Sequence, residues 1–192
     1  EGRHGFFAAF GGAPPPDPDA LFTELGEPWC ITRCRYRIYP TIGTIHSPLD
    51  IIGDIQKEKP FHHSEVESIR VGLYERGLMH VGSVKRPHDV ITAQASLAYS
   101  IGARLVKGSV TLDTFLDPTM WSDPEILAIG DLVEGYVVRK PGLPRYTCMD
   151  IRLKNGVVLT GEATHTRGSE KAPFDDDVMR EKFRTLASAV LP

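Results

Sequence analysis

The sequence is poor in the features that mark membrane, secreted and nucleic-acid-binding proteins. Its three cysteines, Cys30, Cys34 and Cys148, are odd in number and predict ordinary reduced thiols rather than a disulfide framework. No uninterrupted apolar run reaches the roughly 18 residues that a transmembrane helix needs. With 22 Lys and Arg against 25 Asp and Glu, the net charge of −3 offers no basic stripe for nucleic acid. We therefore expect a cytoplasmic protein that binds neither membranes nor nucleic acids.

The signature motifs of common enzyme classes are also missing. The chain has no G-x-S-x-G, P-loop, H-E-x-x-H or dinucleotide fingerprint. Cys30 and Cys34 do not have the spacing of a zinc knuckle, and the adjacent His62 and His63 would point to opposite faces of a strand. A metal site that uses these residues is the alternative to unliganded side chains. We expect neither a metal nor an organic cofactor.

The residues that are present have the composition of a globular domain. Hydrophobic residues make up 41% and charged residues 24% of the 192 residues, and this length suits one domain or one domain with an appendage. The chain starts at Glu1 rather than Met, with no signal segment after it, so we expect a chain that was processed or cut from a longer one. The proline-rich run 13–20 predicts a stiff connector and a domain boundary.

Hydrophobic periodicity predicts a mixture of strands and helices. The predicted strands are residues 29–40, the region of Ile69, Val71 and Leu73, residues 134–139, and the two arms of a hairpin at Asn155-Gly156. The predicted helices are residues 44–57, 89–107, 124–132 and 173–189. Because strands and helices do not alternate strictly, the predicted fold class is α+β, with a mostly antiparallel sheet and helices packed on one of its faces.

Three arginines could form a carboxylate site. Arg33, Arg35 and Arg37 share one face of the predicted strand 29–40. Guanidinium groups form paired hydrogen bonds with carboxylates, so this face would suit a polycarboxylate. The alternative is a solvated sheet face with acidic neighbours.

His46, Ser96 and Tyr99 are the other candidates. His46 lies near a predicted helix start, where exposed N–H groups attract anions; it would exchange protons near neutral pH or simply order the helix entry. Ser96 and Tyr99 share a hydroxyl-bearing stripe of the predicted helix 89–107. Tyr99 would donate a hydrogen bond to a substrate, or it would be a core tyrosine whose hydroxyl has a protein partner.

Four ordered sequence blocks carry a resemblance to a known family. They are GRHGFFAAFGG (2–12), GEPWCITRCRYRIYPTIGTIHSPLD (26–50), RPHDVITAQASLAYSIGARLVKGSVTLDTF (86–115) and APFDDDVMREKFRTLA (172–187). Together they resemble the C-terminal part of the MmgE/PrpD family, which includes 2-methylcitrate dehydratase, cis-aconitate decarboxylase and iminodisuccinate epimerase. The resemblance spans nearly the whole chain.

The resemblance implies one part of a two-domain protein. Family members have a large helical N-terminal domain and a smaller α+β lid domain, with the active site between them. This chain would then hold the tail of the helical domain with its connector (1–25), the lid (26–170) and a C-terminal helix (171–192). The implied partners are the helical domain of the same protein and a second copy in a homodimer.

The resemblance also implies roles for particular residues. The family's lid motif reads Lys-x-Tyr-Pro-x-x-x-x-x-His, and here it runs from Arg37 to His46. Arg37 stands in the lysine position, so it keeps a positive charge but cannot exchange protons near neutral pH. Thr41 and Ile42 stand where a cysteine or histidine is usual. The predicted site consists of the catalytic residues Tyr99 and His46, with substrate-binding Arg37, Ser96 and Arg35; Tyr99 matches a tyrosine of the family's substrate pocket.

The implied function is a cofactor-independent lyase that removes a proton next to a carboxylate of a small di- or tricarboxylate. Dehydration of the 2-methylcitrate type is favoured, with decarboxylation and epimerisation as alternatives. A competing expectation is a non-catalytic ligand-binding or interaction module derived from the same fold. Because the family's other acid/base groups belong to the helical domain, we expect the 192-residue chain alone to lack turnover.

Overall fold

The computed structural model describes residues 5, 6, 10, 11, 17, 19, 22, 23, 25, 26, 29–188 and 190. Contacts within the chain divide it into two units, Glu1–Cys34 and Arg35–Pro192. Most of the predicted tail 1–25 lies outside the described residues, and the division into 1–25, 26–170 and 171–192 stays a prediction.

The predicted strand over residues 29–40 is wrong. In the first unit, Cys30–Arg33 forms a short 3-10 helix instead. The Trp29 carbonyl accepts hydrogen bonds from the Thr32 amide at 3.0 Å and from its hydroxyl at 2.7 Å, so the backbone is satisfied locally. In the second unit, residues 35–37 have no regular secondary structure and belong to none of the four strands of the sheet. The three arginines therefore do not share a strand face.

The second unit contains the sheet and the longer helices. Its strands are β1 (Val66–Leu73), β2 (Val133–Val137), β3 (Thr147–Leu153) and β4 (Val158–Ala163). Its helices are α1 (His46–Glu58), α2 (Glu75–Val81), α3 (Val90–Ala95), α4 (Leu97–Lys107), α5 (Leu112–Leu116), α6 (Pro118–Trp121), α7 (Pro124–Asp131) and α8 (Asp176–Ala187). Short 3-10 turns at Gly43–Ile45 and His63–Glu65 precede α1 and β1.

The α+β class and the one-sided packing of helices are confirmed. The strand order is β2-β1-β3-β4, with β3 antiparallel to both of its neighbours and β1 parallel to β2. The sheet is therefore mixed rather than purely antiparallel, because the long helical connection from β1 to β2 permits a parallel crossover. Ile69, Val71 and Leu73 are fully buried under the helices, while Arg70 of the same strand is exposed.

The predicted single helix 89–107 is broken at Ser96. This residue has extended backbone angles (φ −89°, ψ 112°) and separates α3 from α4. Its hydroxyl oxygen accepts a hydrogen bond from the Tyr99 amide at 3.0 Å and donates one to the Val84 carbonyl at 2.5 Å. Ser96 thus acts as the N-cap of α4, and capping satisfies an amide that the helix itself leaves unpaired.

The small residues of α4 bring it close to α7. Gly102 lies against the Ile126 backbone, and a Cβ built on Gly102 would come within 2.3 Å of the Ile126 carbonyl oxygen. One turn earlier, Ala98 faces Gly130, where an added Cβ would lie 3.3 Å from the Ala98 carbonyl oxygen. This contact fixes α4, and with it the residues at its C-terminal end that reach the cavity described next.

Candidate functional site

A surface cavity of about 1040 Å³ lies in the second unit. Its wall is formed by the segment that follows Tyr36, one residue each of α3, α4 and α5, the loop between α4 and α5, and α8. The lining residues are Arg37, Ile38, Tyr39, Pro40, Thr41, Ile42, Gln94, Arg104, Gly108, Ser109, Val110, Thr111, Leu112, Asp177, Val178, Glu181, Lys182, Thr185 and Leu186. Of the five predicted site residues, Arg37 is the one that lines it.

Backbone hydrogen bonds hold the segment that carries Arg37. The Tyr36 amide donates to the Gly168 carbonyl at 3.0 Å, and the Ile42 amide donates to the Gln94 carbonyl at 3.1 Å. Gly168 has φ +83°, and a Cβ there would lie 2.3 Å from the Tyr36 carbonyl oxygen, so this close approach requires glycine. The segment is therefore fixed at both ends although it belongs to no sheet.

Two cations of the cavity wall donate hydrogen bonds to backbone carbonyls, Arg104 to that of Gly108 and Lys182 to that of Arg37. Within the part of the chain that the structure describes, no carboxylate forms an ion pair with Arg37, Arg104 or Lys182. The two acidic residues of the wall differ in this respect, since Asp177 lies 3.3 Å from Arg180 and Glu181 lies 4.0 Å from Arg184. Arg180 and Arg184 thus offset the negative charge of the wall, whereas no described carboxylate offsets the positive charge of its cations.

Tyr39 is a cavity residue that the sequence patterns did not single out. Its hydroxyl donates a hydrogen bond to the Asp50 carboxylate at 3.0 Å. Burial, followed by the charge of Asp50, raises the pKa of Tyr39 well above its ordinary value. Burial likewise raises the pKa of Asp50. The hydroxyl proton of Tyr39 is thus used in the hydrogen bond to Asp50. The sequence signal that could have identified Tyr39 as a cavity residue is its position two residues after Arg37.

His46 lies behind the cavity wall. It is 2% exposed, its ring contacts that of Tyr39 edge to face at 5.3 Å, and its Nε2 has no hydrogen-bond partner among the described residues. Burial, and secondarily the nearby Arg37 charge, lowers the pKa of His46 to about 4. The expected helix start at His46 is confirmed by α1, and its catalytic role stays a prediction.

The buried His46 predicts a loss of stability in mild acid. Its pKa of about 4 in the folded state lies below the ordinary value of 6.5, so between these pH values the unfolded chain takes up the proton that the folded protein excludes. The free energy of unfolding should therefore fall by about 2 kcal/mol between pH 7.5 and pH 5 through this residue alone. Urea unfolding of the wild type and of His46→Gln at both pH values measures it. An identical pH dependence of the two proteins would contradict the assignment.

Tyr99 and Ser96 lie in the core rather than at the cavity. Tyr99 is fully buried, its hydroxyl donates to the Thr114 carbonyl at 2.6 Å, and its ring contacts Phe115 edge to face. Burial raises the pKa of Tyr99. Ser96 is also fully buried, as the N-cap of α4. The structure therefore does not bring these two side chains to Arg37, and their roles in the reaction stay predictions.

Arg35 and the candidate metal ligands lie elsewhere. Arg35 is exposed and does not line the cavity. Cys34 and Cys148 are free thiols. Among the described residues, no group of three or more His, Cys, Asp and Glu side chains could hold a metal ion. None of the described helices has the length and apolar character that crossing a membrane requires.

The fold and the cavity define an α+β domain with a surface cavity, whose cations form no ion pair within the described part of the chain. The chain belongs to the MmgE/PrpD family, since the family model of the MmgE/PrpD C-terminal domain matches residues 39–192. This match confirms the family expected from the four sequence blocks.

Relatives of the chain are fungal proteins with decarboxylase names. A cis-aconitate decarboxylase-like protein of Aspergillus oryzae is 28% identical over 200 residues, which cover 97% of this chain and 41% of the relative. Two cis-aconitate decarboxylases of Aspergillus terreus, one from strain NIH 2624, are each 24% identical over 203 residues, covering 94% of this chain and 39% of theirs. The chain thus spans about two fifths of the length of the curated relatives it matches.

Proposed function

We propose that the chain is the C-terminal domain of a lyase that acts on a small di- or tricarboxylate. The observation that carries this proposal is the set of unpaired cations in the cavity wall, with Arg37 held in place by its backbone. Guanidinium and ammonium groups are the natural partners of carboxylates, and a partly enclosed site strengthens such contacts. The family and the names of the relatives support the same substrate class.

The reaction that we favour is decarboxylation of cis-aconitate or a close analogue. It is the activity that the relatives' names give, whereas the family resemblance alone had favoured dehydration of 2-methylcitrate. Both reactions leave negative charge on carbon next to a carboxylate as an enediolate. Fixed cations stabilise such a developing charge more than they stabilise the substrate, and this difference lowers the barrier. In this proposal no metal or organic cofactor takes part.

The proposal assigns the chain a part of the complete enzyme. We propose that a helical domain of the same protein supplies further acid/base groups, that two copies form a homodimer, and that the protein works in the cytoplasm. Tyr99 and His46 as catalytic residues, and Ser96 and Arg35 as substrate contacts, remain predictions within this proposal. Arg37 is the member of the predicted set that the geometry favours, because it lines the cavity.

Turnover by the full-length protein tests the proposal. Purified protein is treated with EDTA, dialysed, and supplied separately with cis-aconitate and 2-methylcitrate. Release of CO₂ and the ultraviolet absorbance of unsaturated acids are then measured. We expect CO₂ release from cis-aconitate, and no turnover from the 192-residue chain alone. Failure to convert either acid would overturn the lyase, and rapid turnover by the isolated chain would overturn the assignment of acid/base groups to another domain.

A non-catalytic carboxylate-binding module is the second candidate. The observation that favours it is the position of Tyr99 and His46, neither of which lines the cavity. Such a module would bind an inert tricarboxylate such as propane-1,2,3-tricarboxylate with the affinity of an enzyme, yet convert no substrate in the full-length protein. Titration calorimetry with this compound, beside the turnover assay, distinguishes the two candidates.

A further inference from the structure

Lys182 of α8 is the one lysine among the cavity residues, and it contacts the segment that carries Arg37. Its Nζ donates a hydrogen bond to the Arg37 carbonyl oxygen, across 145 positions of sequence. The side chain is half-buried and lines the same cavity as the Arg37 guanidinium. Within the described residues its ammonium forms no ion pair with a carboxylate. Two of its three N–H groups are therefore available to a bound molecule.

The other polar groups of the cavity are poor proton donors. A guanidinium group, as in arginine, is not a proton donor in general acid catalysis. The Tyr39 hydroxyl already donates to Asp50, and the carboxylates of Asp177 and Glu181 lie beside arginines of their own helix. The hydroxyls of serine and threonine hold their protons too tightly to donate them unaided. A lysine ammonium, in contrast, can both bind a carboxylate and release a proton.

We propose that Lys182 is a catalytic residue, which binds a substrate carboxylate beside Arg37 and protonates the carbanion that is left when CO₂ departs. This inference rests on the proposed function and names the proton donor of that site. The C–C bond between the CH₂ carbon and its carboxylate breaks, and CO₂ leaves. The electron pair of that bond moves through the neighbouring C=C bond to the carbon next to a remaining carboxylate, where it forms an enediolate. One N–H proton of Lys182 then moves to that carbon, and the resulting neutral amine regains a proton from solvent.

Two substitutions separate proton transfer from simple positioning. Lys182→Arg keeps a positive charge and donors for the Arg37 carbonyl, but an arginine cannot release a proton near neutral pH. In the full-length protein we expect Lys182→Arg to bind propane-1,2,3-tricarboxylate within about threefold of wild type and to lose kcat at least about 100-fold, as removal of a general acid does. We expect Lys182→Ala to lose about tenfold in affinity as well, and to regain turnover when methylamine is added.

The control is Lys57→Met, which removes an exposed lysine of α1 that does not line the cavity. It should leave both affinity and kcat unchanged, and circular dichroism spectra should confirm that every variant is folded. If Lys182→Arg keeps the wild-type kcat, Lys182 is a positioning residue and the inference is overturned, while the proposed lyase stands. If the wild-type protein binds the tricarboxylate but converts no substrate, the proposed lyase falls and proton donation by Lys182 falls with it. If the wild-type protein neither binds the tricarboxylate nor converts a substrate, the assignment of the cavity as a carboxylate site is wrong.

Discussion

Arg37→Ala is expected to lower the affinity of the protein for a tricarboxylate about 30-fold. Arg37 lines the cavity, its guanidinium meets no protein carboxylate among the described residues, and hydrogen bonds hold its backbone. A charge-assisted hydrogen bond contributes about 1.5–3 kcal/mol, and a 30-fold loss corresponds to about 2 kcal/mol. Titration calorimetry with propane-1,2,3-tricarboxylate measures the loss. The affinity of Arg37→Lys should lie between those of the wild type and Arg37→Ala, because an ammonium cannot make the paired contact of a guanidinium.

Two control substitutions accompany Arg37→Ala. Arg139→Ala removes an arginine that pairs with Glu75 outside the cavity, and Arg33→Ala removes one of the three arginines first considered for carboxylate binding. Both should change the affinity less than Arg37→Ala does. Arg37 also contributes to the low pKa of His46, so Arg37→Ala should raise that pKa in an NMR titration of the folded protein. Equal and negligible affinity losses for all three variants would refute Arg37 as a substrate contact.

The same substitution at two helical glycines should have opposite effects on stability. At Gly102 in α4, the new Cβ of Gly102→Ala would lie 2.3 Å from the Ile126 carbonyl oxygen, so the backbones of α4 and α7 must separate. We expect a loss of about 2 kcal/mol, within the usual cost of overpacking. At Gly53 in α1, the nearest atom to a new Cβ is an Arg104 guanidinium nitrogen at 3.3 Å, at the end of a flexible side chain. Gly53→Ala should stabilise the protein by up to about 1 kcal/mol, because alanine favours helices.

Urea unfolding of both glycine variants tests this contrast. The helix propensity gained is the same at the two positions, so the difference between them, about 3 kcal/mol, reports the contact between α4 and α7. If both variants are stabilised, α4 and α7 are further apart than the structure shows. Because α4 also carries Arg104 to the cavity wall, Gly102→Ala should weaken tricarboxylate binding in proportion to the displacement of α4.

Local patterns were enough to predict most of the helices and strands. The alternation of Ile69, Val71 and Leu73 identifies a strand with one buried face, and the structure pairs it at the centre of the sheet. Asn155-Gly156 identifies the turn between β3 and β4, where Gly156 adopts φ +87°. Such signals depend on neighbouring residues and on which face meets the core, both of which the sequence records directly.

The sequence patterns gave wrong predictions where contacts between residues distant in sequence determine the structure. The alternation around Arg33, Arg35 and Arg37 is that of a strand, but a strand also needs a paired neighbour. Within the described part of the chain this segment pairs with no strand, and the Tyr36 amide donates to the Gly168 carbonyl. The prediction of a hydroxyl stripe over 89–107 required an unbroken helix. In the structure the Ser96 hydroxyl donates to the Val84 carbonyl, and α3 ends and α4 begins at Ser96. The sequence pattern around a helical tyrosine is the same whether its hydroxyl donates to a ligand or, as for Tyr99, to a buried backbone carbonyl.

The cavity could be predicted only in part for the same reason. Arg37 was identified because a block of neighbouring residues resembles a known motif. Arg104 and Lys182 come from two other stretches of the chain, and no periodicity connects them with Arg37. Their shared surface follows from the packing of α4 and α8, which is a property of the folded protein.

The contact between Lys182 and the Arg37 carbonyl also determines when the wall of the cavity is complete during folding. Its two ends are 145 residues apart, and α8 is the last helix that the structure describes. During synthesis the sheet and α1 through α7 leave the ribosome first, while the wall that α8 contributes is still missing. A partly synthesised chain would therefore expose an open groove in place of the cavity. Within the proposed function, a nascent chain would therefore bind a carboxylate only after α8 has been synthesised and has packed against the segment of Arg37.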